Sequence, residues 1–194
     1  GSNGGLAANY TLSGGTHQLT VTQRPLNSSG SKVYDANTNA LANTITLSNL
    51  AGSEILVHSG TASTSSANAG SYTINNLSGI SIDNSSGSAS NYTLTGGTHN
   101  FTINKRVVSL SGGSRQYNGS STAIAADLPT INNLVGSETL TLSGNGVVEN
   151  ANVGDNKPLT NLSGLTLQNG SNGGLAANYT LSGGSSIISI TPRI

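Results

Sequence analysis

GSNGGLAANYTLSGG occupies residues 1–15, and the same fifteen letters return at residues 170–184. Identity of that length does not arise by chance, so the chain carries tandem repeats and reads as a piece of a longer array. A looser copy, SGSASNYTLTGGTH at 86–99, lies midway and roughly halves the repeat. Other pairs fix the unit: VYDANT (33–38) with QYNGSS (116–121), LAGSEIL (50–56) with LVGSETL (134–140), ANAG (67–70) with ANVG (151–154), and NNLSGISI (75–82) with TNLSGLTL (160–167). The offset drifts from 83 to 87 along the unit, as short loop insertions between fixed elements would make it. We therefore expect the tail of a preceding repeat at 1–22, one repeat at 23–103, a second at 104–190, and the start of a third at 191–194, where TPRI matches TQRPL (22–26) and NKRVV (104–108).

The local signal within each unit is strand. YTL, LTV, ITL, YTI, ISI, FTI, LTL and IISI alternate apolar residues with Thr or Ser, as half-buried strands do. Gly, Asn and Ser clusters interrupt them at the spacing of a sandwich or barrel. Helical periodicity is absent, and the best helical candidate is a single turn near Leu134–Glu138. The expected fold is all-β: two tandem antiparallel, Ig-like β-sandwiches of six or seven strands each, arranged end to end. The alternative is a parallel β-solenoid, which Gly/Asn/Ser-rich chains also build, but no sub-period near ~20 residues supports it. The expected core of the first unit is Val33, Tyr34, Ile45, Leu47, Leu56, Ile74, Leu77, Ile82, Tyr92, Leu94, Phe101 and Ile103. In the second it is Tyr117, Leu140, Leu142, Val153, Leu162, Leu165, Leu167, Tyr179, Leu181 and Ile188. The junction TINKRVV (102–108) contains neither Gly nor Pro, so little motion between units is expected.

Composition narrows the function. Charged residues make up 7% of the 194, and seven basic residues balance seven acidic ones. Such a chain cannot present the basic stripe that phosphate neutralisation needs, so no nucleic-acid partner is expected. No apolar run approaches the ~18 residues of a membrane span, and no charged-then-apolar leader occurs, so we expect neither membrane insertion nor an export signal in these residues. With no cysteine there are no disulfides, thiolate metal sites or Cys nucleophiles.

We expect no enzyme, no cofactor and no metal. There is no Gly-x-Ser-x-Gly elbow and no Gly-Lys phosphate loop. His17 and His99 hold the same place in successive repeats, but Ser186 replaces them at the third, so they read as polar residues at a strand edge. His58 is isolated in sequence. Glu54 and Glu138 each follow Gly-Ser and read as turn-closing residues; calcium ligation would need more carboxylates together. Tyr10, Tyr92 and Tyr179, with Tyr34 and Tyr117, recur at fixed places and read as structural anchors rather than sugar-stacking platforms. Lys32, Lys105 and Lys157 are the lysines that Lys–Asn isopeptide links would use, but Lys32 shows no clear counterpart in the second unit. Asn-x-Ser/Thr triplets at Asn9, Asn27, Asn76, Asn84, Asn91, Asn100, Asn118, Asn161 and Asn178 follow from composition.

The order Tyr34-Asp35, LAGSE, ANAG, NLSG, NYTLTGG, FTINKR resembles the YDG and MBG repeat domains of large bacterial surface proteins, among them filamentous-haemagglutinin-like adhesins exported by two-partner secretion. That family runs Tyr-Asp-Gly, Leu-x-Gly-Asp/Glu, Asn-Val-Gly, Asn-Tyr-Thr-Leu. All four elements occur in both units, with Ala36 in place of the first Gly and Asn118 in place of the second Asp. The resemblance implies extracellular display at the bacterial cell surface, as structural stalk or spacer repeats that project a binding region and take neighbouring repeats as partners. The alternative is that the repeats themselves bind glycans, host proteins or one another, weakly and multivalently, in adhesion or biofilm formation.

Overall fold

The computed structural model describes residues 5–74, 76–181 and 186–194. The first unit contains β1 (Arg24–Pro25), β2 (Asn27–Val33), β3 (Asn39–Leu41), β4 (Ile45–Ser48), β5 (Leu56–Ser63), β6 (Gly70–Thr73), β7 (Ile80–Asn84), β8 (Tyr92–Thr93) and β9 (His99–Asn104). The second repeats them in order as β10 (Arg106–Ser111), β11 (Gly113–Gln116), β12 (Thr122–Ile124), β13 (Thr130–Asn132), β14 (Leu140–Val148), β15 (Gly154–Asn161), β16 (Leu165–Asn169), β17 (Tyr179–Leu181) and β18 (Ile187–Thr191). Only Lys105 separates the last strand of one unit from the first of the next. The two units thus stand in tandem, as expected.

Most of the pairing repeats with the sequence, but β4 pairs with β2 in the first unit where β13 pairs with β10 in the second, and a β14–β15 pair joins the sheets of the second unit. β3 and β7 flank β5 antiparallel in the first unit, and β12 and β16 flank β14 in the second. In the opposing sheet, β9 lies between β2 and β6, and β18 between β11 and β15. The sheets are mixed, which corrects the purely antiparallel expectation. The opening strand of each unit runs parallel to the closing ones: β1 with β8 and β2 with β9, then β10 with β17 and β11 with β18. Hairpin-like antiparallel pairs dominate elsewhere, which is the opposite of stacked parallel rungs, so the solenoid does not describe this chain.

Alternation decides the burial. His99, Phe101 and Ile103 point inward from β9, and Ile188 and Ile190 from β18. Gly30 and Gly113 hold one place in the two units, where a Cβ would overlap the carbonyl oxygen of Thr44 or Asp127; β2 and β11 can reach the neighbouring turn only without a side chain there. Three expected core residues are exposed, Val33 at 52%, Tyr117 at 41% and Val153 at 50%, and Leu47, Ile82, Leu94, Leu142, Leu162, Leu167 and Leu181 are half-buried against the core. Val33 takes the outward phase of β2. The other two lie at the outer end of the second unit. Leu26, Ile80, Val108, Leu110, Leu128, Val148 and Ile190 join the core instead.

Each unit has a cluster at its incoming end. In the first it is Leu26, Leu56 and Tyr92, with Leu50 and Leu94 packed on them. In the second, Val108, Leu140 and Tyr179 take those places, but here the cluster is continuous with the main core of the first unit, including Tyr34, Phe101 and Ile103. One apolar core therefore runs across the boundary between repeats, while Leu110, Leu128, Val148, Ile188 and Ile190 form the second unit's own interior.

Candidate functional site: the junction between repeats

The Asn-Tyr-Thr-Leu and Leu-x-Gly-Ser-Glu segments meet in the same way in both units. A one-turn 3-10 helix, Ala89–Asn91 or Ala176–Asn178, delivers the Tyr into β8 or β17. The Tyr92 hydroxyl donates to the Glu54 carboxylate and accepts from the Ala51 N–H at 3.0 Å. The Tyr179 hydroxyl donates to Glu138 Oε2 at 2.7 Å and accepts from the Val135 N–H at 3.1 Å. The glutamates do not close their turns with their side chains, as the sequence suggested; the backbone does so, Glu54 N–H to the Ala51 carbonyl and Glu138 N–H to that of Val135, both at 3.0 Å. The carboxylates are left to gather tyrosines.

Glu138 gathers two. Tyr34, from the Tyr-Asp-Ala turn of the first unit, crosses the boundary and donates to Glu138 Oε1 at 2.7 Å. Its ring meets that of Tyr179 edge to face, with centroids 5.4 Å apart and planes at 77°, a favourable aromatic geometry. Beside it the Asn-Ala-Gly turn of the first unit makes a second contact. The Ala69 N–H donates to Asn178 Oδ1 at 2.8 Å, and Asn178 Nδ2 donates to Asn68 Oδ1 at 3.0 Å. Arg106 borders the contact, donating from Nε and Nη2 to Asn133 and reaching the Tyr34 carbonyl from Nη1 at 3.5 Å. All four recurring motifs thus converge on one junction, two from each unit.

Burial holds both ring hydroxyls in the protonated form. It pushes Tyr34 and Tyr179 up to about 12, and the hydrogen bond each gives to Glu138 adds to the rise. In Tyr92 the rise comes chiefly from the bond to Glu54. At Asp35, partial burial acts upward, but Lys32 and the N–H of Asn37 outweigh it and lower the pKa.

The remaining candidate residues serve the fold. His99 is buried, not at a strand edge on the surface: Nε2 donates to the Leu94 carbonyl at 2.9 Å, leaving Nδ1 to accept from Ser28 Oγ at 3.0 Å. Its counterpart Ser186 is also buried and accepts from the Leu110 N–H at 3.1 Å. His58 lies between the carbonyls of Ala42 and Ile45. Tyr10, in the incoming tail, is 74% exposed and anchors nothing. Lys32 does have a counterpart. It bonds Asp35 at 2.8 Å and both oxygens of Asn37 at 2.8 Å, while Arg115 bonds Asn118 and the Ser120 carbonyl from the same position. A guanidinium in that role marks a grip on the turn rather than an isopeptide site. Lys157 bonds Asn150 Oδ1 at 2.6 Å. Among the described residues no three His, Cys, Asp or Glu side chains come together as metal ligands would.

The sequence singled out Tyr34, Glu138 and Tyr179 separately but did not bring them together across the boundary. It gave Asn68 and Arg106 no role, and it named Asn178 only as an Asn-x-Ser/Thr triplet. The signal was there in the repetition of Asn-Tyr and Ala-Asn at fixed positions, but periodicity cannot say which unit a repeated residue faces. No match was found among curated proteins or solved structures. The model of the YDG domain matches residues 16–99 and again 104–186. Those two stretches cover most of the chain, which therefore belongs to the YDG domain family and carries the domain twice in tandem.

Proposed function

We propose that the chain is a section of the stalk of a large bacterial cell-surface adhesin, where successive YDG domains hold a distal binding region away from the cell. The junction is the observation that supports this reading. A spacer must keep its units from folding back on one another, and here the recurring motifs are spent on docking one unit to the next. The surface agrees with an extracellular setting. It is rich in hydroxyls and amides, nearly free of charge and without cysteine, so an exported chain would meet no disulfide trap on the way out.

The test is binding. The two-unit chain, applied to glycan arrays and to host cells, is expected to bind neither, while small-angle scattering is expected to show an elongated particle. Binding that strengthens with the number of linked units would replace the spacer with a multivalent adhesive surface. A scattering curve of a folded-back globule would remove the stalk.

A further inference from the structure

The Tyr-Asp turn of the first unit and the Tyr-Asn turn of the second are built alike around a basic residue at one repeat position. In the first, Lys32 bonds Asp35 Oδ1 at 2.8 Å, and the Asn37 N–H reaches the same oxygen at 3.2 Å. In the second, Arg115 Nη1 donates to Asn118 Oδ1, and the Ser120 N–H donates to it at 3.0 Å. Arg115 Nη2 takes the Ser120 carbonyl, as Lys32 takes that of Asn37. The difference is chemical: one turn holds a carboxylate and the other an amide. Arg115 is 9% exposed, with Nε unpaired, and forms no ion pair among the described residues. A buried cation without a counter-charge is destabilising, and Asn118 stands where an acid would supply one.

Asn118 is followed by Gly119, and both are exposed. Glycine has no side chain to shield its N–H, and neither that N–H nor Asn118 Nδ2 has a hydrogen-bond partner among the described residues. The two donors on Asn118 Oδ1 are placed to stabilise the negative charge that gathers on this oxygen when a nucleophile adds to Cγ. The other described Asn-Gly pairs lack this combination. Asn145–Gly146 lies inside β14, paired with β12. At Asn169–Gly170 the Gly N–H is already given to the Gly174 carbonyl at 3.0 Å. At Asn172–Gly173 the amide Nδ2 is held by the Ser137 carbonyl at 3.0 Å. Nor does the openness of this turn depend on a free end of the array. In the first unit the second is docked on Tyr34, yet Asp35 is only half-buried and Ala36 and Asn37 stay exposed.

We propose that Asn118 is a site of spontaneous deamidation, at which the Gly119 nitrogen turns the amide into a carboxylate held by Arg115. The Gly119 nitrogen attacks Asn118 Cγ and gives up its proton to solvent. The Cγ–Nδ2 bond breaks, and Nδ2 takes a proton and leaves as ammonia, which closes a five-membered succinimide. Water then adds to one of the two ring carbonyls. Opening at Cγ gives Asp, and opening at the former main-chain carbonyl gives isoaspartate. The balance is amide plus water to acid plus ammonia, so neither an oxidant nor a cofactor is needed. The Asp product reproduces the Lys32–Asp35 pair of the first unit. Partial burial acts upward on Asp35, yet Lys32 and the Asn37 N–H hold it below the ordinary carboxylate value. A carboxylate at 118 meets the same arrangement and is ionised beside the guanidinium. The turn that carries Tyr117 thus gains a charged clamp after the chain has folded.

The test is a time course on the full chain in mildly alkaline buffer, folded and in urea, read by intact mass and by peptide mapping that separates Asp from isoaspartate. In the folded chain Asn118 is expected to gain about one mass unit ahead of Asn145, Asn169 and Asn172. In urea that lead should vanish. Gly119→Ala, a residue the turn accepts at Ala36, should keep the Asn118 amide over the same period. A folded chain in which Asn118 stays an amide, or converts no faster than the other three, overturns the proposal. A Gly119→Ala chain that converts as fast as the parent overturns it too. The product is read separately with Asn118→Asp. Its melting temperature should exceed the parent's, and the gain should disappear when Arg115→Gln is added. No gain, or a gain that persists without Arg115, overturns the pairing.

Discussion

Replacing Tyr34 by Ala should cost far more than replacing Tyr117 by Ala, although the two occupy the same place in successive repeats. Tyr117 shows what Tyr34 is without a following unit: 41% exposed against 3%. Taking a buried Tyr as ~200 Å², the neighbour covers about 75 Å² of it, worth about 2 kcal/mol at 25 cal/mol per Å². The bond to the Glu138 carboxylate at 2.7 Å adds about 1.5 kcal/mol, the low end for a charged acceptor, because Tyr179 still satisfies the other oxygen. The edge-to-face ring contact adds about 0.5 kcal/mol. The excess of Y34A over Y117A should therefore be about 4 kcal/mol, read by urea unfolding of the two-unit chain. The Phe pair divides it, since Y34F keeps the ring and should exceed Y117F by about 1.5 kcal/mol. If the Ala pair agrees within ~0.5 kcal/mol, the limit of additivity for independent sites, Tyr34 does not join the units and the reasoning fails.

Tyr34 and Tyr179 are both raised to about 12 in the folded chain, above the ordinary tyrosine value of 10.0. A raised pKa stabilises fully below the unfolded value and is lost as pH climbs through the folded one. The junction should therefore hold below pH ~10 and fail between ~10 and ~12, and spectrophotometric titration should show a late tyrosinate phase that loses the Tyr34 contribution in Y34F and keeps that of Tyr179. Ala36 adopts φ 61° where the second unit has Gly119 at 77°. An L-residue there costs about 1–2 kcal/mol, and glycine returns about 0.4–1 kcal/mol of that through the freedom of the unfolded chain. A36G should thus raise stability by about 0.5–1 kcal/mol in thermal unfolding; a lower melting temperature would contradict the strain. Arg115 is buried with Nε unpaired among the described residues, and Lys32 performs the same grip in the first unit. R115K should be at least as stable as the parent, since an unsatisfied buried donor costs about 1–3 kcal/mol, whereas R115A should lose stability clearly; equal losses in both would refute the shared grip.

Much of the fold was legible because repetition doubles every signal. The two-unit division, the strand class and most inward positions follow from alternation in segments such as FTI and IISI. What escaped was set by partners distant in sequence. NSSGSKV at 27–33 has almost no apolar residue and reads as a loop, yet it forms β2 because it lies between β4 and β9 and hides Ser28 against His99. The opening strands are parallel to the closing ones for a reason no local pattern carries: β2 and β9, from opposite ends of the unit's sequence, run side by side in the same direction in one sheet. Tyr117 reads as core because Tyr34 is core; the letters are alike, and Tyr34 is buried because the second unit packs on it. The site was less legible than the fold. Tyr34, Glu138 and Tyr179 were each visible, but the boundary they close was not.

The junction also explains why the motifs recur. A catalytic or ligand-binding residue needs to be present once, and its loss from one repeat leaves the others working. A docking residue must be present in every repeat, because each unit receives one neighbour and inserts into another. Tyr34 and Asn68 face forward while Glu54, Asn91 and Tyr92 face back, so one unit sequence carries both halves of the same contact. His99 gives way to Ser186 without loss because each side chain satisfies the interior of its own unit. The Tyr, Glu and Asn-Tyr positions stay fixed because their partners lie next door. Linear arrays of this kind gain a nearest-neighbour coupling at each added unit. A chain extended by a third copy should therefore unfold later in urea than the two-unit chain by about one more junction, and the gain should vanish when Tyr117→Ala opens the new boundary. A third unit that adds nothing would mean the domains are beads on a string, and the shared core at Tyr34 would have no energetic consequence.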